Sequence, residues 1–406
     1  MKHWWKLLII VCFHPDLGLA QSISFSEFLE KVKSQLALPA TEFPTFKAPW
    51  LDEIQLRTET REFTFDRQRY ALRITPQPFG LGGIQTKLGN ISAQEAKLDR
   101  QKYYAKHLKA YTEQWYKSAI FQEIITEMER EKLLLKDKKL ICQRLAQKSL
   151  NDLDNYLKVQ NDLYDLEQDY QTLLGKQMAI RTQWSGQFGW STNLPLTTAL
   201  LSTEKIQQFL QHSEGLWAKA VNKQEHLLAL KQNSLDYELA AEKAEKNMIL
   251  DYIQFRYRGP SINPWQEKMS VGISLNLPVN GQTKYDIYKL NLEKHSLSNK
   301  HQEVVIDLSN KFIELKQKIT QAINTYNLIT DQKAEINTLI EFLKKQPMED
   351  LSPLLMIEQN RELCKYTIRQ WEQVLNVFEQ YINLLDLGGY FYPGMEFNYI
   401  ETLPLE

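Results

Sequence analysis

Two segments of strictly alternating apolar and polar residues, each leading into a very long helical pattern, constrain the fold of this chain more than any other feature. The second segment spans 248–282, and the apolar phase of its last strand is Val271, Ile273, Leu275 and Leu277. Such period-2 alternation is typical of a strand with one apolar and one polar face. A turn cluster at 259–264 divides the segment, which predicts a hairpin of two strands. Each strand has about ten residues, the length that a tilted strand needs to cross a bilayer.

Another strand hairpin is predicted at 51–83, which indicates that the chain is a duplication of one unit. Both hairpins end in a proline that glycine soon follows, at Pro78 and Gly80 and at Pro278 and Gly281. This pair of residue types ends the strand pairing and lets the chain turn into the next element. The predicted repeating unit is therefore a helix, a strand hairpin, a long helix, a turn and a returning helix.

The long helical stretches are predicted to fold back on themselves as antiparallel helical hairpins. The first spans 84–183 with its tip near 148–152, and the second spans 283–387 with its tip near 346–353. Apolar residues keep 3-4 spacing along both, as in a coiled-coil seam. The remaining segments are predicted as a short helix and Pro-rich linker at 21–50, a loop with a short helix at 184–214, a helix at 215–247 and a tail at 388–406.

Residues 1–20 are predicted to be a secretory signal peptide outside the fold. A short apolar run follows Lys2 and Lys6 and ends in small residues, as export signals do. Export leaves two cysteines, Cys142 and Cys364, and the sequence leaves open whether they form one disulfide or remain two buried thiols.

Composition and motifs exclude several other classes of function. The net charge of −1 gives no indication of nucleic-acid binding. The sequence contains no phosphate-binding glycine loop, no nucleophile elbow and no zinc-binding His-Glu-x-x-His helix. Neither an enzymatic activity nor a cofactor or metal is therefore predicted.

Closure of the predicted sheet requires more than one copy of the chain. Four strands cannot close into a membrane barrel, since outer-membrane barrels begin at eight strands. An open sheet leaves unpaired edges that lipid does not tolerate. Two copies would supply eight strands and three would supply twelve. The helical seams also require neighbours, so a ring of helical hairpins beneath a shared barrel would form a continuous tube.

Several segments resemble the TolC-like outer membrane efflux proteins, also called outer membrane factors. The strand end Ser-Leu-Asn-Leu-Pro-Val-Asn-Gly at 274–281 is similar to that family's strand ending in Pro-Leu-Phe-x-Gly-Gly. The tip segments that begin at Leu150 and Met348 resemble the family's Gly-Leu-x-Ser-x-x-Asp-Leu-Leu-x-Ala-Gln run. Together with the order of elements and the duplication, the resemblance covers nearly the whole mature chain.

The resemblance implies a mainly α-helical protein with a small β part. Two tandem repeats of long antiparallel helical hairpins and strand hairpins would form a trimeric α-barrel tunnel with a shared 12-stranded transmembrane β-barrel. The family implies an outer-membrane location with a large periplasmic part. It also implies docking to a periplasmic adaptor, or membrane fusion protein, and to an inner-membrane pump of the RND or ABC type. The expected function is the exit duct of a tripartite efflux or type I secretion system.

Residues at both ends of the expected tunnel carry predicted roles. The adaptor-docking tips are expected at Lys148, Ser149, Leu150, Met348, Glu349 and Asp350. Some members of the family carry a ring of aspartates at the periplasmic entrance. The matching positions here are Leu354 and Ile357, so an apolar constriction is expected instead of an ionic one.

The strands carry the other predicted sites. Val271, Ile273, Leu275 and Leu277 are expected to face lipid, and the barrel lumen is expected to carry Arg69, Arg73, Arg256 and Arg258. These arginines either form a cationic surface or pair with Glu59, Glu62 or Asp251. The aromatic residues that could mark the membrane boundaries, or pack against helices in a soluble protein, are Tyr70, Phe79, Tyr257 and Trp265.

The alternative interpretation is an exported periplasmic coiled-coil scaffold or adaptor protein without a membrane pore. Adaptors also contain helical hairpins, but they combine them with β-rich modules of many strands. This sequence has two alternating strand hairpins that lead into long helices, and that pattern favours the channel.

Overall fold

The computed structural model describes residues 23–36, 45–60, 68–147, 153–192, 196, 200–211, 213–258, 268–275, 281–346 and 352–393. The predicted signal peptide and both predicted docking tips lie outside these ranges. Long helices and one four-stranded antiparallel sheet make up most of the described residues. The fold class predicted for the single chain is thereby confirmed, whereas the shared 12-stranded barrel stays a prediction.

The described residues form eleven helices and strands of the following bounds. They are α1 (Phe25–Leu36), β1 (Leu51–Thr60), β2 (Gln68–Pro76), α2 (Leu81–Ala146), α3 (Leu153–Phe188), α4 (Thr203–Gln211), α5 (Glu214–Lys246), β3 (Leu250–Arg258), β4 (Met269–Leu275), α6 (Gly281–Lys344) and α7 (Pro353–Leu387). The helices α2 and α6 have 66 and 64 residues. At 1.5 Å per residue each is about 100 Å long.

None of the described helices combines the length and the apolar character that crossing a membrane requires.

The chain divides into two compact units. The bundle unit comprises Met1–Ala37, Tyr104–Glu214 and Ile313–Glu406, and the sheet unit comprises Leu38–Tyr103 and Gly215–Phe312. The sheet unit contains all four strands in the order β1-β2-β3-β4, with every neighbouring pair antiparallel. In the same unit α5 and α6 are joined by an ion pair of 2.5 Å between Asp236 and Lys294.

Polar contacts along the seams of the bundle unit hold its long helices together. The Gln177 amide on α3 donates to the Ser118 carbonyl on α2 at 3.1 Å. Lys109 on α2 donates to Asp386 on α7 at 2.9 Å. On the far side of α7, Gln370 donates to Thr330 of α6 at 2.9 Å. The helix α2 therefore packs between α3 and α7, and α7 also packs against α6.

The amphipathic helix α1 closes the bundle unit through an aromatic cluster. The Phe28 ring lies 4.8 Å from Trp115 of α2 and 4.9 Å from Trp184 of α3, and Phe188 lies 5.9 Å away. This packing keeps α3 helical as far as Phe188, although the glycine-rich sequence predicts a loop from residue 184. The helix ends where Gly189 takes a φ of 70°, a left-handed conformation that glycine adopts without steric cost.

The N-terminus of α1 has the hydrogen bonds of a capping box. The Glu27 amide donates to the Ser24 hydroxyl at 3.3 Å, and the Ser24 amide donates to the Glu27 carboxylate at 3.0 Å. Two backbone donors that the first turn leaves unpaired are satisfied in this way. Serine and glutamate at this spacing therefore start the helix that carries Phe28.

Cys142 and Cys364 do not form the disulfide that the sequence leaves open. Both side chains are buried. Burial raises the pKa of Cys364 to about 12, and it is the thiolate rather than the thiol that attacks an alkylating reagent. We expect that iodoacetamide at pH 8 modifies neither cysteine in the folded protein and both after unfolding, as measured by mass spectrometry. Rapid labelling of either thiol before unfolding would contradict this packing.

Candidate functional site

The four-stranded sheet has one face that is apolar across its whole width. The strand register aligns Ile54, Ile74, Ile253 and Ile273 in one row, and Leu56, Leu72, Phe255 and Val271 in the next. Directly opposed residues in antiparallel strands lie on the same face. On the outer strands this face is exposed, with 60% of Ile54, 70% of Leu56 and 65% of Ile273 accessible. Contiguous exposed apolar surface of this kind marks a contact with lipid or with another protein.

The predicted lipid-facing residues belong to this apolar face where the structure describes them. Val271 and Ile273 lie in the two rows, and Leu275 lies opposite Leu250 and is also exposed. Leu277 lies outside the described residues. Sequence reasoning missed Ile54 and Leu56, although the period-2 pattern of β1 contains them.

Aromatic side chains border the apolar rows on both sides along the strand direction. At the end nearer the strand turns, Tyr70 and Tyr257 stack with their ring centroids 6.4 Å apart. At the helix end, the side chains of Trp50 and Phe79 are exposed. Trp50 is eight residues from Thr58, which is paired with Tyr70. At the rise of a strand, the two aromatic borders are therefore about 26 Å apart. Aromatic groups at both borders of an apolar band are typical of membrane barrels. Trp265 lies outside the described residues.

The opposite face of the sheet is polar and rich in arginine. Arg69 lies directly opposite Arg258, and Ala71 lies between Arg57 and Arg256 in the next row. Arg73 follows, opposite Gln254. The register thus brings all four predicted lumen arginines to one face. It adds Arg57, which sequence reasoning missed although the alternation of β1 places it on the polar phase.

Among the described residues, one of these arginines has a carboxylate within 4 Å. Arg73 lies 3.8 Å from Asp251, and its guanidinium carbon lies 3.6 Å from the centroid of the Tyr252 ring. Arg57 and Arg256 donate instead to the neutral amides of Gln55 and Gln254, each at 3.0 Å. Of the predicted acidic partners, Asp251 therefore pairs with an arginine. Glu59 makes no ion pair with Arg69 although the two residues are opposed, and Glu62 lies outside the described residues.

The two outer strands of the sheet each have a single neighbour. In the described structure β1 pairs with β2 alone and β4 pairs with β3 alone. Both outer strands therefore carry backbone N–H and C=O groups that the sheet itself does not pair. Such groups are tolerated in water but not in hydrocarbon.

The start of α7 holds the two residues predicted to constrict the periplasmic entrance. Leu354 packs against a cluster of Leu135, Cys142 and Val159, which joins α2 to α3, so its side chain already contacts the bundle of its own chain. Ile357 is half-buried, and the neighbouring Leu355 is exposed. The constriction stays a prediction, and Leu355 is the more exposed apolar side chain near that end of α7.

A buried ionic junction joins three helices near the same end of the bundle unit. Arg361 of α7 donates to Glu131 of α2 at 3.0 Å and contacts Asp162 of α3 at 2.8 Å. Both Arg361 and Glu131 are buried, with 8% and 4% of their surfaces accessible. Burial raises the pKa of Glu131, and the hydrogen bond from Arg361 opposes that rise. Sequence reasoning missed this junction, although Arg361 interrupts the apolar stripe of α7.

Within the described part of the chain, no group of three His, Cys, Asp or Glu side chains has an arrangement that could hold a metal ion.

Comparison with known proteins finds likeness in three-dimensional structure alone. No protein-family model and no curated protein matches the sequence. The outer membrane protein VceC of Vibrio cholerae matches with a TM-score of 0.62 and 8% identity, over 92% of each chain. The open state of the MtrE outer membrane channel of Neisseria gonorrhoeae matches with a TM-score of 0.61 and 10% identity, over 92% of this chain and 87% of that chain. The CmeC outer membrane channel of Campylobacter jejuni matches with a TM-score of 0.56 and 9% identity, over 93% and 86%.

These likenesses span more than nine-tenths of this chain and 86–92% of each matched chain. The resemblance predicted from the sequence is therefore confirmed at the level of the fold. At identities of about a tenth, the shared property is the fold.

Proposed function

We propose that this chain, which has the fold of outer-membrane channel subunits, is itself an exit duct in the outer membrane. Three copies would close one 12-stranded barrel, and their long helices would form a tunnel in the periplasm. Solutes would pass from the periplasm to the exterior through the barrel lumen. The proposed activity is transport rather than catalysis.

The observation that carries this proposal is the sheet with two different faces and two unpaired edges. The apolar rows suit hydrocarbon, and the arginine-bearing rows suit an aqueous lumen. Lipid does not tolerate the open edges of β1 and β4, so β4 of one copy must pair with β1 of the next. In a closed ring of copies, the backbone N–H and C=O groups of every edge strand pair with those of a neighbouring copy.

We further propose that the duct works in a tripartite efflux or type I secretion system. A periplasmic adaptor would dock at the tips, around residues 148–150 and 348–350, and would connect the duct to an inner-membrane pump of the RND or ABC type. These residues come between α2 and α3 and between α6 and α7 in the chain, so an adaptor that reaches the ends of these helices would meet both segments. The tunnel entrance would lie beside them, with Leu354 and Ile357 forming an apolar constriction to which the exposed Leu355 contributes.

We expect the protein to fractionate with outer membranes and to migrate as a heat-modifiable trimer. Expression in a Gram-negative host, density separation of the two membranes and gel electrophoresis with and without boiling would measure this. Electron microscopy of the detergent-purified protein should show a cylinder whose length matches helices of about 100 Å. The boiled sample serves as the monomer control on the same gel.

Other outcomes of this experiment would reject the proposal. A monodisperse monomer in detergent, with no cylinder in the micrographs, would contradict the shared barrel. Recovery in the soluble periplasmic fraction would instead support the alternative of an exported coiled-coil scaffold or adaptor. The apolar rows of the sheet would then have to be covered by another protein.

A further inference from the structure

The arginines of the polar face are concentrated in the rows nearest the strand turns. Arg69 and Arg258 are directly opposed, and Arg57 and Arg256 share the next row. Side chains directly opposed across antiparallel strands lie about 5 Å apart, and like charges in this arrangement destabilise a sheet. The chain as a whole has a net charge of −1, so this local excess of positive charge is not a property of its overall composition.

Most of this positive charge is not neutralised within the described residues. The four arginines of the two rows share their face with one carboxylate in those rows, that of Glu59. The hydrogen bonds that Arg57 and Arg256 donate go to amides, which carry no charge. Arg73, which does have an acidic neighbour in Asp251, lies one row closer to the helices.

We infer that the duct is selective for anionic solutes because of an arginine belt near the outer mouth of the barrel. The belt consists of Arg57, Arg69, Arg256 and Arg258. The inference rests on the proposed function, because the belt becomes a closed ring only when three copies share one barrel. Rings of Arg or Lys select for anions in pores, and a lumen of one charge sign raises the local concentration of the opposite ion. The guanidinium group also binds carboxylates and phosphates with two parallel hydrogen bonds.

The reversal potential of the reconstituted trimer under a KCl gradient measures this selectivity. We expect chloride to permeate several-fold better than potassium near 0.01 M salt, where the Debye length is about 30 Å. The preference should fade near 1 M salt, where that length is about 3 Å. The triple variant R69Q/R256Q/R258Q should lose most of the preference at low salt. The matched variant R69K/R256K/R258K, which keeps the three charges, should retain it.

The outcomes separate this inference from the proposed function. Equal permeation of the two ions, or a preference for potassium, in a conducting wild-type trimer would overturn the arginine belt and leave the channel intact. A chloride preference that persists in the glutamine variant would also overturn it. If that variant does not assemble, the single variant R258Q should show a smaller loss in the same direction. A trimer that never conducts would reject the duct itself, and the belt with it.

Discussion

Replacing Arg361 with methionine is expected to destabilise the bundle unit by about 3–5 kcal/mol, because it leaves a buried carboxylate without its partner. Arg361 contacts Glu131 on α2 and Asp162 on α3 from its position on α7. Glu131 is almost inaccessible to water, and Arg361 is its main charge partner. Native-state hydrogen exchange of the amides in these three helices measures the effect locally, without requiring that the whole chain unfold in one step.

The loss of stability in R361M should depend on pH, and its direction follows from the pKa of Glu131. Burial raises the pKa of Glu131 above its ordinary value of 4.5 even beside Arg361, so the folded state binds that proton more tightly than the unfolded state does. Stability from this group is therefore greatest at low pH and falls as the pH rises through the raised pKa. Without Arg361 the pKa should rise further. The defect of R361M should be complete at pH values above the raised pKa and should shrink as the pH falls towards 4.5.

Two control variants test whether the missing charge pair is the cause. R130M removes an exposed arginine of α2 that lies 3.9 Å from Glu127, and it should change stability by less than about 1 kcal/mol. The double variant E131Q/R361M removes both members of the pair and should recover part of the loss. A pH-independent defect, or one that E131Q leaves unchanged, would show that lost packing rather than the unpaired carboxylate is responsible.

The parts of the fold that the sequence predicts are those that local periodicity determines. Alternation along β4 places Val271 and Ile273 on one face because the side chains of a strand alternate strictly. Long runs of apolar residues with 3-4 spacing predict α2 and α6, because residues at this spacing lie on one face of a helix. The capping box of α1 is equally local, since Ser24 and Glu27 are three positions apart.

The parts that the sequence did not predict depend on contacts between distant residues. Arg361 and Glu131 are 230 positions apart. No local sequence pattern identifies which acidic residue pairs with an arginine on the apolar side of a helix. The last turn of α3 is also determined at a distance, since Phe28 and Trp115 pack on it and override the local effect of Gly186. The strand register shows in addition that Arg57 lies in the same row as Arg256.

Substituting Ile253 by lysine is expected to abolish assembly in the outer membrane, whereas Gln254→Lys should leave it intact. The two residues are neighbours on β3 and are similarly half-buried within the single chain. Ile253 lies in an apolar row, and Gln254 lies on the polar face, directly opposite Arg73. A lysine on the lipid side of a barrel costs about 2–4 kcal/mol near the bilayer centre. Three copies would add about 6–12 kcal/mol to the cost of one trimer.

The pair of variants separates a membrane barrel from a soluble sheet. The amount of heat-modifiable trimer in the outer-membrane fraction is the measurement, with total protein determined by immunoblot. A soluble scaffold would give no heat-modifiable trimer in the outer-membrane fraction, from the unsubstituted protein or from either variant. Normal trimer yield from I253K would contradict a lipid-facing apolar face. Loss of the trimer in Q254K but not in I253K would show that the two faces are assigned the wrong way round. Because the variants differ by one residue position, the side of the sheet is the main variable that the comparison changes.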